Sequence, residues 1–419
     1  MNIKPFQGWR YEQADVSDVI APPYDVLTLA DKQQLLRESG QNIVAVDLPH
    51  VPPSEVGPDS EYRQSAETLR QWMGGPLRRD ERPSLYVYEQ TFTWAGKSYC
   101  RRTLIAAAGL AEFGKGVWPH EKTFAGPKAD RLKLMQETRV QLSPIFGFYE
   151  PSAEIEALLQ RCTQRPADQF ATLRGVGEKL WVLNRPEELK LIQNALAKRD
   201  IFIADGHHRY TTALNYRATL GDVPAEHPAN FVMFVLASMS DPGLIILPTH
   251  RLISGLSVWN FERFVDSLRA DMDVTPLEVS AGSAADADAL LEPYGPHSMA
   301  FLSGEQAVVA RLKNLSAMDV LAANEVPAWR RLDVAILHRL VLERHLAGFA
   351  LAGAKTEYTP DGVKAMTAAT DGQAQLVVLL AGTPISAVRE IALAHSVMPH
   401  KSTYFYPKPA TGLVIYPLE

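Results

Sequence analysis

The chain has 419 residues, 46% hydrophobic and 21% charged, which is an ordinary globular make-up and long for a single core. Its 42 Lys and Arg against 48 Asp and Glu leave a net charge of −6, which argues against a dedicated nucleic-acid binder. Cys100 and Cys162 are far apart with no C-x-x-C spacing, which excludes a disulfide framework or a cysteine metal site and fits a reducing compartment. Residues 1–20 are polar and mixed in charge, and the apolar run Phe231 to Ala237 is too short to span a bilayer. A cytoplasmic protein without a membrane partner is expected.

In chain order, Ala21-Pro22-Pro23-Tyr24-Asp25-Val26 reads as a rigid loop, since two prolines fix the backbone and remove two donors. Thr28 caps a helix from Leu29 to Glu38, and Ile43 to Val46 reads as a strand. A second helix through Tyr62, Ala66, Leu69 and Met73 stops at Gly74-Gly75. Leu85 to Thr93 and Ser98 to Ala107 alternate around Ala95-Gly96 as a hairpin. A polar loop follows, with His120, Glu121 and Lys122, and then Gly126-Pro127-Lys128 opens a helix. This group can supply a base and phosphate-binding cations, or it is a solvated loop.

Ser143 to Tyr149 reads as a strand, Glu154 to Arg161 as a helix, and the chain around Gly175-Val176-Gly177 as a hairpin, before a helix opening at Pro186. Past the centre, Asn230 to Ala237 and Leu244 to Leu247 are strongly apolar, and the second leads into Pro248-Thr249-His250-Arg251. Phe261 to Ala270 is an amphipathic helix, Ser298 to Leu312 a hairpin, and Pro327 opens a long helix to about Leu346. The chain then alternates helix and strand up to Met398–Lys408. This tail is either an edge strand or a stiff loop lining a cleft, with Lys401 or Lys408 on a phosphate and an aromatic such as Tyr404 against a ring.

The stretch that organises the rest is Arg199 to Leu214. The apolar run Ile201 to Ala204 reads as a buried strand, turning at Asp205-Gly206 into a helix with Tyr210, Ala213 and Leu214 on one face. Such a turn aims free amides and the positive end of the helix dipole at one point. Arg209 can hold a phosphate bidentately, and His207 and His208 can donate to it. Adjacent histidines do not chelate one ion easily. Asp205 is open to two roles, helix cap or Mg²⁺ ligand.

Together these stretches resemble one family over essentially the full length, the prokaryotic domain of unknown function 1015. The resemblance rests on Ala21–Val26, His120–Thr123 with Gly126–Lys128, Ala204–Tyr210, Asp241–Arg251 and Met398–Lys408. Asp205-Gly206-His207-His208-Arg209 alone is similar to the phosphate-binding turn of the ParB/sulfiredoxin superfamily, which includes a free-serine kinase with the same D-G-H-H-R pattern. The reactive cysteine of sulfiredoxin corresponds to His207 here, so that chemistry is not implied. The resemblance implies a mixed α/β (α+β) fold with a ParB/sulfiredoxin-like core and additional α/β elements. It would occupy residues 1–255, and a C-terminal α/β region, 256–419, would return to the site through 398–408.

The function expected is a phosphotransferase, kinase or phosphatase, acting on a small hydroxylated metabolite, with Mg²⁺ and ADP or ATP. Glu121, His120 and Asp205 are the candidate catalytic residues, and Asp25 and Asp205 the candidate metal ligands. Gly206, His207, His208, Arg209, Lys122, Lys128, Arg251, Lys401 and Lys408 would hold the phosphate or nucleotide. Tyr24, Asp25, Thr403 and Tyr404 would contact the substrate. Two alternatives are a nucleotide-binding regulatory module without turnover and a ParB-like nucleic-acid-associated protein. The expected partner is a phosphate ester or nucleotide, and the expected assembly a homodimer.

Overall fold

The structure, a computed structural model, describes residues 1–123, 125–349 and 353–419. The fold is mixed α and β. It divides into two compact units, Met1–Leu244 with Pro407–Glu419, and Ile245–Tyr406. The sequence places one boundary near 255. The chain changes unit after Leu244 and changes back after Tyr406, inside the 398–408 tail.

The first unit is built on a nine-stranded mixed sheet. Its order is Val117–Trp118, Ile201–Asp205, Ile145–Tyr149, Phe231–Ser238, Lys97–Gly109, Leu85–Trp94, Val176–Leu183 and Gln169–Leu173, and Ile3–Lys4 also pairs with Lys97–Gly109. Phe231–Ser238 is buried along its whole length, as an unbroken apolar run should be when both faces are covered. The long hairpin closes between Trp94 and Lys97 through Ala95 and Gly96, both at positive φ (47° and 75°), the backbone that suits the right-handed twist of the strands. Ile155, Leu158 and Leu159 of one helix and Ile192 and Leu196 of another join the core formed by Val87, Leu104 and Phe234.

The second unit carries an all-antiparallel six-stranded sheet in the order Met272–Pro276, Gln306–Leu312, Ser298–Ser303, Leu376–Leu379, His250–Ser254 and Lys355–Thr359. Ala365, Ala368 and Ala369 of the helix Gly362–Thr370 pack on Leu252, Leu302 and Leu379. Tyr404–Tyr406 pairs antiparallel with Ile245–Leu247, so the aromatic part of the tail is a strand rather than a free loop.

Two local expectations are corrected. Ile43 to Val46 is not a strand: Val44–Asp47 is a short helix. Buried Asn42 bonds the carbonyls of Asp18 and Ile20 and accepts from the Val44 amide, and this tertiary anchoring overrides the β-preference of valine and isoleucine. The helix expected from Pro327 to Leu346 is interrupted, running as Pro327–Arg330, Asp333–Ile336 and a wider-wound segment Leu337–His345. Leu332 is extended (ψ 130°), so the helix must restart there. Among the described residues no helix is long and apolar enough to cross a membrane.

Candidate functional site

Ile201–Asp205 enters the sheet as a buried apolar strand, and its register against Ile145–Tyr149 shifts between Ile203 and Asp205. That irregularity leaves Ala204 as the extra residue, and Asp205 pairs with Phe146 at the end of the strand. Gly206 follows at φ 96°, the left-handed region, and the helix His207–Thr219 starts after it. A β-carbon at 206 would be strained and would stand 2.9 Å from Arg209 Nε, so the turn needs glycine. Gly206 occupies the N-cap position and has no side chain with which to satisfy the first amides of the helix. Tyr210 and Ala213 belong to the core cluster and Leu214 packs against it, so the expected face holds the helix to the sheet; Tyr216 is buried as well.

Four charges close around this turn. Asp205 Oδ2 accepts from Arg209 Nη2 at 2.5 Å, and Asp205 Oδ1 lies 2.9 Å from Lys408 Nζ. Lys408 Nζ also reaches Asp25 Oδ2 at 2.6 Å. Two cations and two carboxylates therefore cancel. Burial opposes the charge on both Arg209 and Lys408, yet Asp205 and Asp25 hold the two groups more firmly protonated than usual.

Lys408 is delivered by a buried network. Arg101 donates to the Pro407 carbonyl and to Gln90 Oε1, Gln90 Nε2 reaches the Lys408 carbonyl at 3.4 Å, and the Ala410 amide donates to Tyr88 Oη at 3.1 Å. Tyr88 and Gln90 both donate to Glu178, whose carboxyl is pushed up to about 7 by burial.

The histidines face inward, contrary to their expected role. His207 is 3% exposed, and its Nε2 accepts the His120 amide proton at 3.2 Å. That assigns the ring proton to Nδ1, which lies 3.8 Å from Glu121 Oε2. Burial pushes His207 well below the usual histidine range and His120, whose ring bonds the backbone of Ile203, down to about 4. Both are neutral at pH 7. His207 is therefore a buried support rather than a protonated phosphate donor, and fully buried His120 cannot meet a substrate proton. His208 is half-buried, lowered by burial and then by the charge of Lys128, so these two side chains are neighbours. Lys122 is exposed.

Tyr24 likewise packs inward, 5% exposed, with the Arg131 guanidinium 4.1 Å from its ring centroid. Arg131 pairs with buried Asp130 and Asp47, whose carboxyl is raised by burial, and Asp47 accepts from Ser143. Tyr24, Asp47, Arg131, Ser143 and Arg209 line a cavity of about 40 Å³, room for a few waters and not for a nucleotide. Asp25 and Glu121 are each partly exposed.

Arg251, Lys401, Thr403 and Tyr404 belong to the second unit. Arg251 is fully buried there, Lys401 is exposed, and Tyr404 lies in the strand paired with Ile245–Leu247. As for Mg²⁺, Asp25 and Asp205 converge on one point, but the Lys408 ammonium already stands between them. Among the described residues no cluster of three or more His, Cys, Asp or Glu is arranged to hold a metal. The donor set does not fit a divalent ion. No local pattern announces the Asp47–Asp130–Arg131 network, and Asp47 ends the short helix that begins inside the segment expected as a strand.

Residues 3–335 match the family described as "Protein of unknown function (DUF1015)". The chain belongs to the DUF1015 family. The family name carries no reaction. A search of curated proteins gives no match. Similar solved structures include a free serine kinase in complex with AMP, at 12% identity over 72% of this DUF1015 chain and 86% of that one, TM-score 0.35. Another is SbnI with a C-terminal truncation from Staphylococcus aureus, at 12% identity over 75% and 87% of the two chains, TM-score 0.36. A third is a conserved hypothetical protein from Pyrococcus furiosus, at 14% identity over 74% and 95%, TM-score 0.34. At these identities and TM-scores the likeness fixes neither a ligand nor a reaction.

Proposed function

We propose that this DUF1015 protein is a phosphotransferase for a small hydroxylated metabolite, working in the kinase or phosphatase direction with ADP or ATP as the nucleotide. The observation that carries the reading is Gly206, held at φ 96° between a buried strand and a helix whose first amides it leaves uncapped, with Arg209 and Lys408 at the same turn. The resemblance of Asp205–Arg209 to a phosphate-binding turn supports it as well.

In this reading the amides of residues 207–209 bind the phosphate, and Lys128 and His208 flank it. An arriving phosphate competes with Asp205 and Asp25 for Arg209 and Lys408, so binding opens the charge quartet. Glu121 is the base in the kinase direction: its carboxylate takes the acceptor hydroxyl proton while that oxygen takes the phosphoryl group and the nucleotide leaves one phosphate shorter. The Glu121 side chain is 37% exposed, and the His207 ring stands 3.8 Å from its Oε2. No step passes through a metal.

A second reading, nucleotide binding without turnover, is favoured by the quartet being closed and neutral, since opening it is a two-state change. A thermal-shift panel of phosphate esters and nucleotides, followed by product analysis on those that stabilise, tests both. A ligand at 100 times its Kd adds about 2.7 kcal/mol. Stabilisation with product supports the phosphotransferase, stabilisation alone supports the binding module, and no stabilisation by any phosphorylated compound overturns both.

A further inference from the structure

We propose that the second unit carries a binding site for the carboxylate of a small molecule, built on Arg251 Nε, Thr249 Oγ1 and His338 Nε2. The inference does not rest on the phosphotransferase reading.

Arg251 is 0% exposed, and among the described residues no carboxylate pairs with it. Its Nη1 donates to the Thr249 carbonyl and its Nη2 to the Lys401 carbonyl at 3.0 Å, and among the described residues Nε–H has no partner. Thr249 Oγ1 and His338 Nε2 are also buried, and among the described residues neither has a hydrogen-bond partner. The Arg251 guanidinium bonds the Thr249 carbonyl, and its charge acts on His338 and His400, so the three polar atoms belong to one neighbourhood.

An uncompensated buried cation and three unsatisfied polar atoms are expensive, and native structures seldom keep such a group without a ligand, ion or water. Water would satisfy the donors but not the charge. Burial lowers His338 to about 4, so it is neutral, and the site holds one positive charge. A carboxylate cancels that charge and offers two acceptor oxygens, whereas a phosphate dianion would leave a buried surplus. The Tyr358 ring covers the guanidinium at 5.2 Å, with the His400 ring 6.1 Å from it. Tyr358 and His400 are both exposed, so entry needs only surface side chains to turn.

The test uses the full-length protein labelled with ¹⁵N in its histidine rings, with His338 assigned through His338→Gln, titrated with acetate, inorganic phosphate and chloride at constant ionic strength. The expected result is a saturable shift at His338 Nε2 with acetate, none with chloride, and loss of the acetate response in Arg251→Met. No saturable acetate shift, tighter binding of phosphate than of acetate, or an unchanged response in Arg251→Met overturns the proposal. Should Arg251→Met fail to fold, Thr249→Val removes one donor, and its acetate affinity should fall about tenfold; an unchanged affinity has the same force as a negative titration.

Discussion

Lys408 Nζ lies 2.9 Å from Asp205 Oδ1, although Asp205 precedes the chain's excursion into its second unit and Lys408 follows it. The same ammonium holds Asp25 at 2.6 Å, so one lysine ties the C-terminal segment, the Pro22-Pro23 loop and the strand–turn–helix together.

Lys408→Met should therefore destabilise the first unit, since it leaves two carboxylates against Arg209 alone. A fully buried pair broken on one side costs about 3–5 kcal/mol, but Asp25 is more than a third exposed, so about 1–3 kcal/mol is expected. Urea denaturation of Lys408→Met, Asp205→Asn and the double variant reads it. A coupling energy near zero in that cycle would show that the pair contributes only packing.

Acid sensitivity follows from His120. Its folded pKa of about 4 lies below the unfolded 6.5, so its contribution to stability is complete above pH 6.5 and is lost as pH falls toward 4. At pH 5 the unfolded chain binds that proton and the folded one does not, a loss of about 2 kcal/mol from this ring. His120→Gln should flatten the fall in urea midpoint between pH 7 and pH 5. An equally steep fall in the variant would place the sensitivity elsewhere.

How much of this was legible in the sequence follows from how local each signal is. The hairpin at Ala95-Gly96 and the strand–turn–helix at Gly206 are written in neighbouring residues, and both are found where expected. The segment Ile43 to Val46 is set by Asn42 reaching back to Asp18 and Ile20, which β-preference cannot reveal. Lys408 was marked by its unusual surroundings, but no local pattern states that its partners are two carboxylates. Nor does any sequence pattern say that His207 turns its Nε2 toward the His120 amide, which is why His207 reads in the sequence as a donor to a ligand.

Glu121→Gln tests the assignment of the base. It should keep the fold and ligand binding and lower turnover by about 10²–10⁴-fold, the range for losing one acid–base group. A steady-state assay beside a ligand titration separates the outcomes. Unchanged turnover would move the role to Asp25 or Asp205, and lost binding at full turnover would make Glu121 a binding residue.

The central claim is that the Gly206 turn binds phosphate. The most direct measurement is a ¹⁵N backbone amide titration of the full-length protein with ADP and with inorganic phosphate, repeated on Gly206→Ala. That variant puts a β-carbon into the left-handed region 2.9 Å from Arg209 Nε and should cost more than about 1 kcal/mol of stability. The account predicts saturable shifts centred on the amides of His207, His208 and Arg209 in the parent, and their loss in Gly206→Ala while the amides of Phe231–Ser238 stay native. Shifts centred elsewhere, or a Gly206→Ala protein that binds as tightly as its parent, would contradict it.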